Sequence, residues 1–225
     1  MTLRLAVLAS GRGSNLRAIL DAIDAGTLEA RVAGVFSDRA SAGALGIARD
    51  ADVEARAFDP KAHPHRLAFD EAVFSAVDAV QPDLIVMAGY MRLVSDLAVT
   101  PRIGRMLNIH PSLLPAFKGL HTHRQALDAG ATVHGASVHI VTPALDDGPV
   151  VSQARVEVTA GDTPETLAAR VLVREHQLLV DTLRLFAARR LAWRDQALHF
   201  DGLPMHAPLQ LSNDYRLAVP DRNRA

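Results

Sequence analysis

Leu3-Arg4-Leu5-Ala6-Val7-Leu8-Ala9-Ser10-Gly11-Arg12-Gly13-Ser14-Asn15-Leu16 opens the chain and decides its class. A short apolar run ends in a Gly-rich turn. Beyond Ser14, apolar side chains recur at helical spacing through Leu16, Ile19, Leu20 and Ile23, which predicts strand, loop and helix. Amides at the N-terminus of such a helix favour phosphate. A dinucleotide fingerprint would carry a third glycine where Leu16 stands, so the turn fits a single phosphate better than a pyrophosphate. Glycine also serves tight turns whatever the ligand, and the turn by itself leaves a purely structural role open.

Working outward, the alternation repeats: strand at 32–36, helix at 40–50, strand at 53–57, helix at 66–80, buried strand at 84–88. This order favours a parallel sheet covered by helices, with ligands at the carboxyl ends of its strands. The second half changes character. A strand at 106–109 leads into a Pro-rich turn, a helix at 122–128 and strands at 133–141 and 154–158. Thr163-Pro164 starts a long helix, Thr as N-cap and Pro at the first helical position, running to about residue 188. Residues 191–194 and 197–200 read as a hairpin. The expected architecture is a single α/β domain over residues 1–200, Rossmann-like and mostly parallel at first, with a mixed sheet in its second half. Residues 201–225, rich in Pro, Asn and charge, are expected to form a peripheral or disordered tail. No repeat or linker breaks the chain.

Composition narrows the partners. Among 225 residues, 24 Lys and Arg stand against 25 Asp and Glu, which gives no electrostatic footprint for nucleic acid or an anionic membrane. Cysteine is absent, which removes disulfides, thiolate nucleophiles and zinc-thiolate sites and fits a reducing compartment. No run approaches the ~18 apolar residues of a membrane span. Arg4 and the early Gly-rich turn argue against a signal peptide. A soluble cytoplasmic protein acting on small molecules, as monomer or homodimer, is the expectation.

Three segments could carry chemistry. In Asn108-Ile109-His110-Pro111-Ser112-Leu113-Leu114-Pro115, side chains two apart share a face, so Asn108 and His110 point together while Ile109 packs behind. An amide and a protonated imidazole can both donate to an oxyanion, and a carboxylate from Leu145-Asp146-Asp147-Gly148-Pro149 can orient the imidazole. That set suits acyl-type transfer; by residue type alone, Asp146 and Asp147 are equivalent. Met91-Arg92-Leu93-Val94 follows the fourth strand, where an open sheet builds a crevice able to receive a flat heterocycle. Glu175 shares the apolar stripe of the long helix with Val171, Leu172, Leu178 and Leu179 and needs a partner, for which Arg170 and Arg174 are candidates. His121-Thr122-His123 invites a metal, yet no His-Glu-x-x-His is present and the acidic residues do not cluster with the histidines, so no metal site is expected.

Six motifs occur in order: Ser10 to Leu16, Ala88-Gly89-Tyr90-Met91-Arg92-Leu93, Asn108 to Pro115, Gly119-Leu120-His121-Thr122-His123-Arg124-Gln125-Ala126, His134-Gly135-Ala136-Ser137-Val138-His139, and Leu145 to Pro149. In these the chain resembles, from about residue 3 to about residue 200, the folate-dependent formyltransferases that use 10-formyltetrahydrofolate, and among them the glycinamide ribonucleotide transformylases. The resemblance implies the formyltransferase fold and a metal-independent transfer of formyl from 10-formyltetrahydrofolate to the amine of the ribonucleotide, in purine synthesis. It implies Asn108, His110 and Asp146 as catalytic residues, Asp147 falling at the variable place of an Asp, variable, Gly, Pro pattern. Gly13, Ser14 and Asn15 are implied at the substrate phosphate and Glu175 at the ribonucleotide. Met91, Arg92, Leu93, Val94 and Asn108, with the 143–148 loop, are implied around the folate, Arg66 at a folate carboxylate, and the Leu114-Pro115 bond as cis. Leu172 stands where some relatives carry Lys, so a phosphate contact from that position is absent. Two relatives sharing the Asn, His and Asp set fit less well. Methionyl-tRNA formyltransferase needs a further C-terminal domain and a basic surface, and formyltetrahydrofolate hydrolase usually carries an N-terminal regulatory domain. A non-catalytic mononucleotide-binding module would have no use for the three residues together.

Overall fold

The computed structural model describes residues 2–214 and 216–218. Strand β1 (Leu3–Leu8) is central, and from Leu5 onward it is buried on both faces, which is why it reads as a continuous apolar run instead of alternating. Leu5 and Val7 turn to one side of the sheet and Ala6 and Leu8 to the other. The chain continues through α1 (Ser14–Asp24), β2 (Ala30–Ser37), α2 (Gly43–Asp50), β3 (Ala55–Ala57), α3 (Arg66–Ala79), β4 (Leu84–Met87), α4 (Asp96–Val99) and β5 (Met106–His110). Strands β2 and β3 lie on one side of β1 and β4 and β5 on the other, all parallel. The order reverses between β1 and β4, so their carboxyl ends diverge into the crevice expected of an open doubly wound sheet.

Beyond β5 come α5 (Thr122–Asp128), β6 (Val133–Ile140), β7 (Val150–Glu157) and α6 (Pro164–Ala187). Strand β6 is antiparallel to both β5 and β7, which makes the sheet mixed. One face of the sheet packs on α1, α2 and α6 through Leu16, Ile19, Leu45, Leu178 and Leu179. The other is covered by α3 through Phe69, Val73, Phe74 and Val77. Helix α6 starts as its sequence predicts: the Thr163 side chain accepts from the Thr166 N–H, the Thr166 hydroxyl accepts from the Thr163 N–H, and Pro164 is first in the helix. Strands β8 (Leu191–Arg194) and β9 (Ala197–Phe200) form the expected hairpin. The Leu114-Pro115 bond is cis.

Two expectations change. Strand β7 begins at Val150, four residues before the sequence reading, because Gly148 lets the chain pass so close to Ile140 that a Cβ would sit 1.8 Å from its carbonyl oxygen. The stretch expected to be a peripheral or disordered tail carries short edge strands among its described residues. Strand β10 (Leu203–Pro204) pairs with β9, and β11 (Leu209–Leu211) adds in parallel to β7, burying Leu209 and Leu211, before β12 (Leu217–Ala218) closes that edge. Its Pro and Asn content concealed a three-residue strand whose alternate leucines supply the burial. Residues 215 and 219–225 of the expected tail lie outside the described residues. No helix among the described residues is long and apolar enough to cross a membrane.

Candidate active site

Asn108 and His110 stand at the carboxyl end of β5, two residues apart and on one face, with Ile109 buried behind them. The antiparallel register sets Asn108 directly opposite His139 of β6. Asn108 Nδ2 is 3.1 Å from His139 Nε2, and His139 Nδ1 is 2.9 Å from the Ile140 carbonyl. A carbonyl only accepts, so Nδ1 carries the proton and, in the neutral ring, Nε2 is the acceptor for the Asn108 amide. The amide is thereby held with its nitrogen toward His139, and its second N–H is left for the cavity.

His110 is pinned from two sides. Its Nε2 lies 3.0 Å from the Phe117 carbonyl and donates to it. Its Nδ1 faces Asp146 Oδ2 at 3.5 Å, longer than a tight charge-assisted hydrogen bond. Burial pushes the imidazole pKa below its ordinary value, and this outweighs the Phe117 carbonyl and Asp146, which both favour the charged ring, while His139 adds to the lowering. Asp146 shows the opposite balance. Burial raises its pKa, but the adjacent His139 ring, the hydrogen bond from the Gly119 N–H and the nearby His110 imidazole together hold it below the usual carboxylate range. The Gly119 N–H donates to Asp146 Oδ2 at 2.9 Å, and His139 Nε2 is 3.5 Å from Oδ1. Asp146 adopts a left-handed backbone, φ 47°, that turns its carboxylate inward, while Asp147 points out to Lys118 with its side chain 59% exposed. Only one of the adjacent aspartates faces the imidazole, and it is Asp146.

These groups line a cavity of about 690 Å³ that opens at the carboxyl ends of β1, β4 and β5, within the range of small-molecule sites. Met91, Arg92, Leu93 and Val94 line it, as do Ala144 and Leu145. The Arg92 guanidinium lies 4.6 Å over the Phe69 ring, and its buried Nε has no hydrogen-bond partner among the described residues. Arg66 does not reach the cavity; it is exposed at the start of α3, one turn before Phe69.

At the other end, α1 begins on Gly13, whose φ of 83° is the left-handed conformation that favours glycine. The N–H groups of Ser14, Asn15 and Leu16 fall in the first turn and have no acceptor within the helix. Gly13 itself faces away from the cavity: a Cβ there would meet the Ala44 α-carbon at 2.7 Å, so close packing on α2 demands this glycine before any ligand does. Asn15 and Glu175 do line the cavity. The partner that Glu175 needs is Asn15, whose Nδ2 donates to its carboxylate at 3.3 Å. The two arginines expected there act elsewhere: Arg170 pairs with Asp162, and Arg174 donates to the carbonyls of Leu211 and Ser212. Burial pushes the Glu175 pKa up against the Asn15 hydrogen bond.

His121 and His123 border the cavity, but His123 turns its Nδ1 to His134 Nε2 at 3.1 Å. Among the described residues, no three His, Asp or Glu side chains are grouped to hold a metal ion. Sequence reasoning passed over His139. Its signal lay in the motif ending at that residue, but assigning it requires the β5 to β6 register.

A crevice at the switch point of a parallel sheet, lined by an amide, an imidazole and a carboxylate beside a helix start, defines an acyl-group transferase site. Residues 3–183 match the family model described as formyl transferase, and the chain belongs to that family. Within the family it is similar to phosphoribosylglycinamide formyltransferases. It is 44% identical over 200 residues to the one from Escherichia coli K12, covering 89% of this chain and 94% of that protein. The structure of the Coxiella burnetii phosphoribosylglycinamide formyltransferase in complex with CHES superposes with a TM-score of 0.87 at 44% identity, covering 91% of this chain and 96% of that one. That of glycinamide ribonucleotide transformylase 1 from Symbiobacterium toebii gives 0.84 at 48% identity, covering 88% and 94%.

Proposed function

We propose that this protein transfers the formyl group of 10-formyltetrahydrofolate to the amine of N1-(5-phospho-D-ribosyl)glycinamide, giving the N-formyl product and tetrahydrofolate. The observation that carries the reading is the convergence of Asn108, His110 and Asp146 on one cavity, which residues 91–94 and Asn15 at the start of α1 also line. The ribonucleotide phosphate takes the N–H groups that open α1, held in place by Gly13, Ser14 and Asn15. Glu175 accepts from ribose hydroxyls. The folate heterocycle lies against Met91, Arg92, Leu93 and Val94, and its carboxylate end leaves the cavity toward Arg66, whose planar guanidinium suits it.

In the reaction the amine attacks the formyl carbon, the bond from that carbon to folate N10 breaks, and a proton passes from the amine toward N10. The free N–H of Asn108 donates to the oxyanion that develops on the formyl oxygen. In its protonated form His110 joins the amide in stabilising that oxyanion, Asp146 orients the ring and supports its charge, and water carries the proton from the amine toward N10. No covalent enzyme intermediate is required.

A spectrophotometric assay with glycinamide ribonucleotide and a 10-formylfolate, with and without chelator, tests the proposal. Formyl transfer that needs both substrates and survives chelator is expected. Deformylation at equal rate without the ribonucleotide would make the protein a hydrolase instead.

A further inference from the structure

We propose that Ser10 and Asp38 act as positioning residues that clasp the folate-binding wall to the phosphate loop. This rests on the functional reading above. Ser10 follows β1, Asp38 follows β2 and Met91 lies beyond the end of β4, so the three stand at the carboxyl ends of neighbouring strands. The Ser10 hydroxyl donates to Asp38 Oδ1 at 2.5 Å and accepts from the Met91 N–H at 2.8 Å, and the Ser10 N–H donates to the Gly89 carbonyl at 3.0 Å. Ser10 is 2% exposed and Asp38 8%, so water does not compete for these bonds.

The direction of the chain of hydrogen bonds follows from chemistry. A carboxylate offers only acceptors, so the hydroxyl proton is committed to Asp38, and the oxygen is left as the fixed acceptor for Met91. Without Asp38 the hydroxyl could rotate and give its proton elsewhere, and Met91 would lose an oriented partner. Met91 begins the wall assigned to the folate, while Ser10 immediately precedes the Gly11 to Asn15 turn assigned to the phosphate. Gly89, with φ 75°, makes the bend that brings the wall back over Ser10. Neither Ser10 nor Asp38 lines the cavity; both act through Met91.

The test measures binding of 10-formylfolate and of glycinamide ribonucleotide by calorimetry, together with KM and kcat, in the full chain carrying Ser10→Ala, Asp38→Ala, both, or Asp38→Asn. Loss of one oriented buried hydrogen bond should weaken 10-formylfolate about tenfold in either alanine variant and ribonucleotide less than about threefold, the loss appearing mainly in folate KM. The double variant should lose no more than the weaker single, because both substitutions break one chain of bonds. Asp38→Asn, which keeps an acceptor oxygen, should recover most of the loss. Unchanged folate affinity in a folded Ser10→Ala protein overturns the proposal, as does equal weakening of both ligands; if Ser10→Ala does not fold, Asp38→Ala carries the same test. A wild-type chain that binds no 10-formylfolate overturns the functional reading as well.

Discussion

Asn108 and His139 face each other across β5 and β6 at 3.1 Å, and the Ile140 carbonyl, by claiming the other ring nitrogen of His139, decides which way the Asn108 amide points. His139→Leu removes the acceptor and frees the amide to turn over, so turnover should fall about tenfold, while Asn108→Ala, which removes an oxyanion donor, should cost on the order of 10²-fold. The double variant should be no slower than Asn108→Ala alone, since the histidine acts through the amide. Steady-state kcat for the three proteins checks this, and additive losses would assign His139 a separate role.

Asp146 and Asp147 separate by geometry. Asparagine fits the left-handed backbone of Asp146, so Asp146→Asn should leave the loop intact, remove the charge that supports the His110 cation and lower turnover on the order of 10²-fold. His110→Ala should cost a similar factor. Asp147→Asn disturbs only an exposed pair with Lys118 and should leave turnover within about twofold. Rates of the three variants compared in one assay would expose the error if Asp147→Asn were the slow one.

Gly11 and Gly13 differ although both belong to the same turn. A Cβ at Gly11 meets nothing within 4 Å, whereas at Gly13 it collides with Ala44 and the backbone is left-handed. Gly13→Ala should therefore lower Tm by roughly 5–10 °C, from about 2–3 kcal/mol of strain and contact, and Gly11→Ala by no more than about 1–2 °C. Thermal unfolding followed by circular dichroism decides between this packing role and one confined to the phosphate, in which Gly13→Ala would keep its Tm and lose only ribonucleotide binding.

His134 is buried without exposure, and desolvation, with the charge of His123, brings its pKa down to about 4. Between pH 6.5 and about 4 the unfolded chain binds a proton that the folded one refuses, so stability rises with pH across that window. The stability tied to this neutral imidazole is complete above pH 6.5 and is lost as pH falls toward about 4. His134→Gln should flatten that part of the stability profile, removing roughly 1–3 kcal/mol of acid sensitivity. Urea midpoints at pH 7 and pH 5 measure it; an unchanged difference between them would assign the acid sensitivity to another group.

The first strand, turn and helix, the five parallel strands and the capped start of α6 follow from the sequence alone, because apolar periodicity and the residues at helix starts act within a few positions of each other. The same locality made Asn108 and His110 readable as a pair, two apart on one strand. What depended on distant chain segments was settled only by the tertiary structure. Asn15 as the partner of Glu175 spans 160 residues, and Leu209 and Leu211 become a strand only because β7 offers an open edge for them. His139 gains its place opposite Asn108 from the β5 to β6 register, and Gly13 owes its identity to the approach of α2. Register, close approach and desolvation arise from surfaces that meet only when the chain is folded, so composition and spacing contain no record of them.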